Sequence, residues 1–174
     1  MRRRLASSLA ASLVLVLSFA STAVAGPSHR TVQIHDDCDA ETFNAVLGPD
    51  TCVKDGDVTF EEFVGSLIAG TPHPSWRFSP THAKLDAGGT VTAKNRGGEF
   101  HTFTEVAQFG GGCVEEVNEL MGLEPVPECA NAGMLFGTTG VAPGGSRTTA
   151  PLAAGTHRFQ CIIHPSQRTT IVAN

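Results

Sequence analysis

Positive charge is scarce in this chain: 12 lysines and arginines face 17 aspartates and glutamates over 174 residues. That balance leaves no electrostatic footprint for nucleic acid and argues against docking on anionic lipid. Long apolar runs are missing too, apart from one stretch near the start, from about Leu9 to Ala20. It is too short, and too broken by serines, for a membrane span. It follows Met1-Arg2-Arg3-Arg4 and leads to Ala23-Val24-Ala25, the order of a secretory signal peptide cleaved after Ala25. No cysteine stands at that point, so a lipoprotein anchor is not indicated. The expected product, Gly26 to Asn174, is an exported soluble protein, periplasmic or secreted, and a monomer. No lysine with Ser or Thr follows Gly110-Gly111-Gly112, which excludes a phosphate loop and leaves a flexible bend.

What remains after cleavage suits one domain carrying an extension. It holds 9 basic and 17 acidic residues, and the excess is lopsided: 2 basic and 9 acidic from Gly26 to Pro74, 7 and 8 from Ser75 to Asn174. The expected division is therefore a signal peptide over 1–25, an acidic N-terminal extension over 26–74 and the main domain over 75–174. Residues 26 to 35 show no strong pattern. Within the extension two short helices are expected. The first covers Asp39 to Leu47 and closes at Gly48-Pro49. The second runs from Phe60 to Ile68, opened by the capping box Thr59-Phe60-Glu61-Glu62, with Phe60, Phe63, Val64 and Leu67 on one face. Asp55-Gly56-Asp57 reads as a turn before that helix. Such a hairpin is too small for a core of its own and would be packed on the main domain.

From Trp76 onward short strand candidates alternate with Gly and Pro turns: residues 76–78, 83–85, 90–93, 101–104, 146–149, 156–161 and 169–172. That spacing predicts a mainly β protein, a sandwich or barrel. Residues 107 to 137 fit less well and read as a long excursion with a short helix near Val114 to Met121. Glu115, Glu116 and Glu119 would be its solvated face.

The five cysteines are Cys38, Cys52, Cys113, Cys129 and Cys161. Cys38 with Cys52 and Cys113 with Cys129 are the natural local pairs, which leaves Cys161 over. An exported lone thiol needs something to hold it, and a metal does that well. The alternatives are that Cys161 is itself paired or is simply buried. Its neighbourhood favours the metal. Phe159-Gln160-Cys161-Ile162-Ile163-His164-Pro165, with Glu99-Phe100-His101-Thr102 earlier, supplies one thiolate and two imidazoles, the three strong ligands of a type 1 copper site.

On these residues the chain resembles the cupredoxins, the small blue copper proteins of the plastocyanin and pseudoazurin kind. The likeness covers Trp76 to Asn174. It rests on Gly89-Thr90-Val91-Thr92, Asn95 and His101-Thr102-Phe103-Thr104, then Pro143-Gly144, Gly155-Thr156, Phe159-Gln160-Cys161, His164-Pro165 and Thr170-Ile171-Val172. The resemblance implies a Greek-key β-sandwich, one copper ion held by His101, Cys161 and His164, and a redox partner protein docking near His164. At residue 167, where the common short loop has Met, this chain has Gln167. Either the Gln167 amide oxygen is the axial ligand, or Gln167 points to solvent and the copper is three-coordinate. An oxygen is harder than a thioether and favours Cu(II), which lowers the reduction potential. Met121 and Met134 do not have the position of an axial ligand. His29, His35, His73, His82 and His157 read as surface or structural.

Paired His-x-His segments, which a trinuclear copper centre needs, are absent. A histidine brace needs His at the mature N-terminus, and Gly26 is expected there. An electron carrier is therefore expected rather than an enzyme, with a copper-binding, sensing or storage protein as the alternative.

Overall fold

A computed structural model describes residues 28–174; the expected signal peptide lies outside them. In chain order the strands are β1 (His29–His35), β2 (Arg77–Ser79), β3 (His82–Leu85), β4 (Thr90–Asn95) and β5 (His101–Thr102). They continue with β6 (Thr104–Val106), β7 (Gly140–Val141), β8 (Ser146–Thr148), β9 (Gly155–Gln160) and β10 (Arg168–Ala173). Two four-stranded sheets result, ordered β2-β1-β4-β8 and β3-β10-β9-β6, while β5 pairs with β7. The chain passes repeatedly from one sheet to the other, and the architecture is the expected mainly β sandwich.

Alternation along the strands makes the sandwich close. Val32 and Ile34 of β1 and Val91 and Ala93 of β4 point inward from one sheet. Leu85, Phe159, Ile171 and Ala173 meet them from the other. Phe103 stacks on Phe159 with centroids 4.4 Å apart and tilts against Phe78 at 5.5 Å. Each of the Val, Leu, Ile and Phe side chains among them contributes about 1.5–3 kcal/mol by leaving water.

The start of the chain departs from expectation. Residues 29–35 form β1, which runs parallel to β4 from His29 opposite Thr90 to Ile34 opposite Asn95. Only Val32 and Ile34 mark the alternation, too few to reveal a strand until β4 supplies the hydrogen bonds. The sandwich thus begins before residue 75, and the helical segment is an insertion between its first and second strands rather than an extension ahead of it.

Within the insertion, α1 (Ala40–Leu47) starts where the Asp39 carboxylate accepts from the Thr42 amide, and α2 (Phe60–Ile68) carries the full Thr59–Glu62 capping box. This hairpin does have a small core, contrary to expectation. Phe43, Val58, Phe63, Leu67 and Trp76 bury together around the Cys38–Cys52 disulfide. Aromatic stacking supplies what length cannot: Phe43 lies 5.8 Å from Trp76 and Phe63 4.6 Å from it.

The excursion carries α3 (Glu115–Met121), ended by Gly122 in the left-handed conformation, and the Cys113–Cys129 disulfide. The sequence reading missed α4 (Ala132–Thr139), whose AGMLFGTT has neither a capping side chain nor a buried face. No helix among the described residues is long and apolar enough to cross a membrane.

Candidate metal centre

Two loops bring the centre together. The turn after β4 leads into β5 and presents His101; the loop between β9 and β10 carries Cys161, His164 and Gln167. Asn95 braces the first. Its amide donates to the Glu99 carbonyl (2.7 Å) and the Val141 carbonyl (3.0 Å), and its oxygen accepts from the Gly97 amide (2.9 Å). Thr102 ties the loops to each other, its hydroxyl accepting from the Ile162 amide at 2.9 Å.

His101, Cys161 and His164 converge. The Cys161 Sγ lies 3.9 Å from His101 Nδ1 and 4.0 Å from His164 Nδ1, and the two Nδ1 atoms are 3.2 Å apart. All three residues are buried: 0% exposure for His101 and Cys161, 6% for His164. Three donors aimed at one point in this way suit a single metal ion, and a soft thiolate with two imidazoles is the donor set of type 1 copper. Two amides also point at the sulfur, those of Thr102 and His164, each 3.4 Å away.

Gln167 does not point to solvent; it is completely buried. Its Nε2 donates to the His35 carbonyl at 2.8 Å, while its Oε1 is buried with no hydrogen-bond partner among the described residues. A buried acceptor left without a donor costs about 1–3 kcal/mol. Met134 is exposed on α4, and Met121 packs against the insertion's core. Of the other histidines, His29 bonds to Thr90, while His157 bonds to Glu105 and the Ala153 carbonyl.

The sequence reading missed the groups behind the ligands. Asp36, at the end of β1, is buried, and its Oδ2 sits 2.6 Å from His101 Nε2. The same carboxylate accepts from the amides of Gly98 (2.7 Å) and Glu99 (3.2 Å). A Cβ at Gly97 would collide with that carboxylate, so glycine is what lets Asp36 approach. The pair Gly97-Gly98 just before a ligand was the available signal of a close approach. Glu99 is the second missed group. Its Oε2 accepts from Trp76 Nε1 at 2.7 Å, and its Oε1 lies 3.7 Å from His164 Nε2.

Burial and partners oppose each other here. Without metal, burial works against a charged His101, yet Asp36 and Cys161 raise it to about 10. Burial likewise opposes ionised Asp36, and His101 with the two amides brings it down to about 2. Burial would push the Cys161 thiol up, but the two histidines pull it well below its usual value. For Glu99 burial prevails and the carboxyl rises. The centre is thus primed as thiolate and imidazolium, and a cation can replace the proton.

The three glycines at 110–112 are pinned rather than loose. The Gly110 amide donates to Gln160, the Gly112 amide to Asn118, and a Cβ at Gly112 would strike the Ile162 carbonyl. They pack the excursion against the ligand loop.

No family model matches the chain, and no curated protein matches it either. Among solved structures it is similar to a purple cupredoxin from Nitrosopumilus maritimus, with 16% identity, a TM-score of 0.42, and 60% of this chain and 90% of that chain covered. It is also similar to the oxidised plastocyanin of Dryopteris crassirhizoma, at 13% identity and 0.39, covering 83% and 99%. A third is a Cu(I) form of an amicyanin mutant, at 20% and 0.34, covering 56% and 73%. These three solved structures are cupredoxins.

Proposed function

We propose that this protein is an exported type 1 copper protein that carries single electrons between redox partners, in which His101, Cys161 and His164 would hold the copper and Gln167 Oε1 would be a fourth, weaker oxygen donor. The observation that carries this reading is the convergence of two Nδ1 atoms and one Sγ within 4.0 Å in a buried pocket. The partnerless Gln167 Oε1 supports it. Bound copper supplies a one-electron Cu(II)/Cu(I) couple.

The chain's own residues do the rest. Asp36 fixes the ring of His101 and raises its basicity. The Thr102 and His164 amides stabilise charge on the Cys161 sulfur. The His35 carbonyl holds the Gln167 amide in one orientation. Both loops hang on the sandwich, so the ligands keep their places when the charge changes. His164 is the residue through which a protein partner would exchange electrons, and nothing in the donor set calls for a catalyst.

A second reading is a copper-binding, sensing or storage protein without turnover. It is favoured by one contact: the Phe63 ring packs edge-on against His164 at 5.8 Å and leaves that imidazole largely covered.

Absorption and EPR spectra after Cu(II) addition test the proposal. An intense visible thiolate-to-copper band with small parallel hyperfine splitting is expected. Cys161→Ala should abolish the band and leave the fold, which has its own core and disulfides. A pale, ordinary Cu(II) spectrum would sink the type 1 reading; unfolding of the variant would make Cys161 structural.

A further inference from the structure

The insertion and the excursion do more than cover His164. Between α2 and α3 they enclose a cavity of about 640 Å³ that reaches His164, within the 300–1,000 Å³ range of small-molecule sites. Three phenylalanines, Phe60, Phe63 and Phe100, line it, with Leu67, Val117 and Leu120 filling the spaces between them. Its charged lining residues are all acidic: Asp50, Glu99 and Glu116. The surrounding segments repeat that bias, with nine acidic residues over 36–74 and five over 107–139 against a single Lys54.

Aromatic faces attract cations through their negative quadrupole, and more strongly where water is thinned out. The exposed carboxylates of Asp50 and Glu116 add attraction of the same sign and repel anions. A protein surface resting on the exposed rim residues Leu47 and Phe100 (51% and 40% exposed) would leave the cavity beneath it unfilled. A molecule smaller than the cavity does not stop at that rim.

We propose that this cavity binds a small organic cation with an apolar or aromatic body, such as an alkyl- or aryl-ammonium compound, seated between the phenylalanines and against His164. The site is built from side chains alone and stands whether or not copper is bound.

Titration of the metal-free full-length protein with phenyltrimethylammonium tests this, with benzenesulfonate as the anionic counterpart. Trp76, the only tryptophan in a chain without tyrosine, packs tilted against Phe63 at 4.6 Å and reports binding by fluorescence. Saturable binding of one cation per chain is expected, with no binding of the sulfonate. Glu116→Arg, an exposed change on α3, should weaken the cation by roughly tenfold, and Leu120→Trp should abolish binding by filling the mouth. An unchanged urea midpoint shows that both variants fold. Non-saturating quenching, equal response to both probes, or indifference to both variants overturns the proposal. So does sedimentation showing a dimer that Leu120→Trp dissociates, or capture of a basic protein with no response to the small cation. Because the titration omits metal, a failed copper spectrum and a failed cation site remain separate outcomes.

Discussion

His101 is held at both ring nitrogens, with Nδ1 turned to the shared centre and Nε2 to the Asp36 carboxylate at 2.6 Å. Carboxylates in that position orient a ligand ring and strengthen it as a donor. Asp36→Asn keeps the volume and removes the charge, and copper affinity should fall about 10–100-fold in a competition titration. An unchanged affinity would leave Asp36 with a purely structural part. Gln167 poses a separate question. Gln167→Met exchanges a hard oxygen for a soft thioether and should raise the reduction potential, read by voltammetry, while the visible band persists. A potential that does not move would remove Gln167 from the coordination sphere. At this scale the proposed ligands could be picked out, since Cys161, His164 and Gln167 share one loop and His101 sits in a recognisable strand. Asp36 was not legible, because 65 residues separate it from the histidine it touches.

Two of the helices are announced by their own caps: α1 and α2 form where Asp39, Thr59 and Glu62 dictate. Strand β1 has no comparable local mark and exists because β4 lies alongside it. The insertion's helices depend on tertiary contact as well, chiefly the Phe43, Phe63 and Trp76 stack and the Cys38–Cys52 bond. Replacing both cysteines by serine removes the constraint on a loop 14 residues long. The expected loss is about 3 kcal/mol on the chain-entropy model, measured by urea unfolding. The copper spectrum should survive, since the three proposed ligands, His101, Cys161 and His164, sit on other loops. Its loss would show that the insertion holds the Asp36 and Glu99 carboxylates in place.

Over the whole molecule, the metal-free centre is a buried charge cluster, and stability must follow its protons. His101 is raised, to about 10, so its contribution is complete below the unfolded value near 6.5 and disappears as pH climbs through 10. Asp36 is lowered, to about 2, so its contribution is complete above the unfolded value near 3.8 and disappears as pH falls through 2. Metal-free protein should therefore draw most from this pair between about pH 4 and 6.5, as thermal unfolding across pH would reveal; a flat profile above pH 7 would contradict the His101 assignment. Copper binding should release protons, with affinity rising as pH rises. The same long-range assembly sets the limits of what could be read from residues in order. The strand periods, the helix caps, the leftover Cys161 and its two histidines were determined by the sequence itself, because each is a local pattern or a count. The tertiary structure alone decided the pairing of β1, the carboxylates behind His101 and His164, the burial of Gln167 and the phenylalanine-lined cavity. Each of those arises where segments far apart in the chain meet, and burial and distance, which no local pattern records, turn ordinary residues there into chemistry.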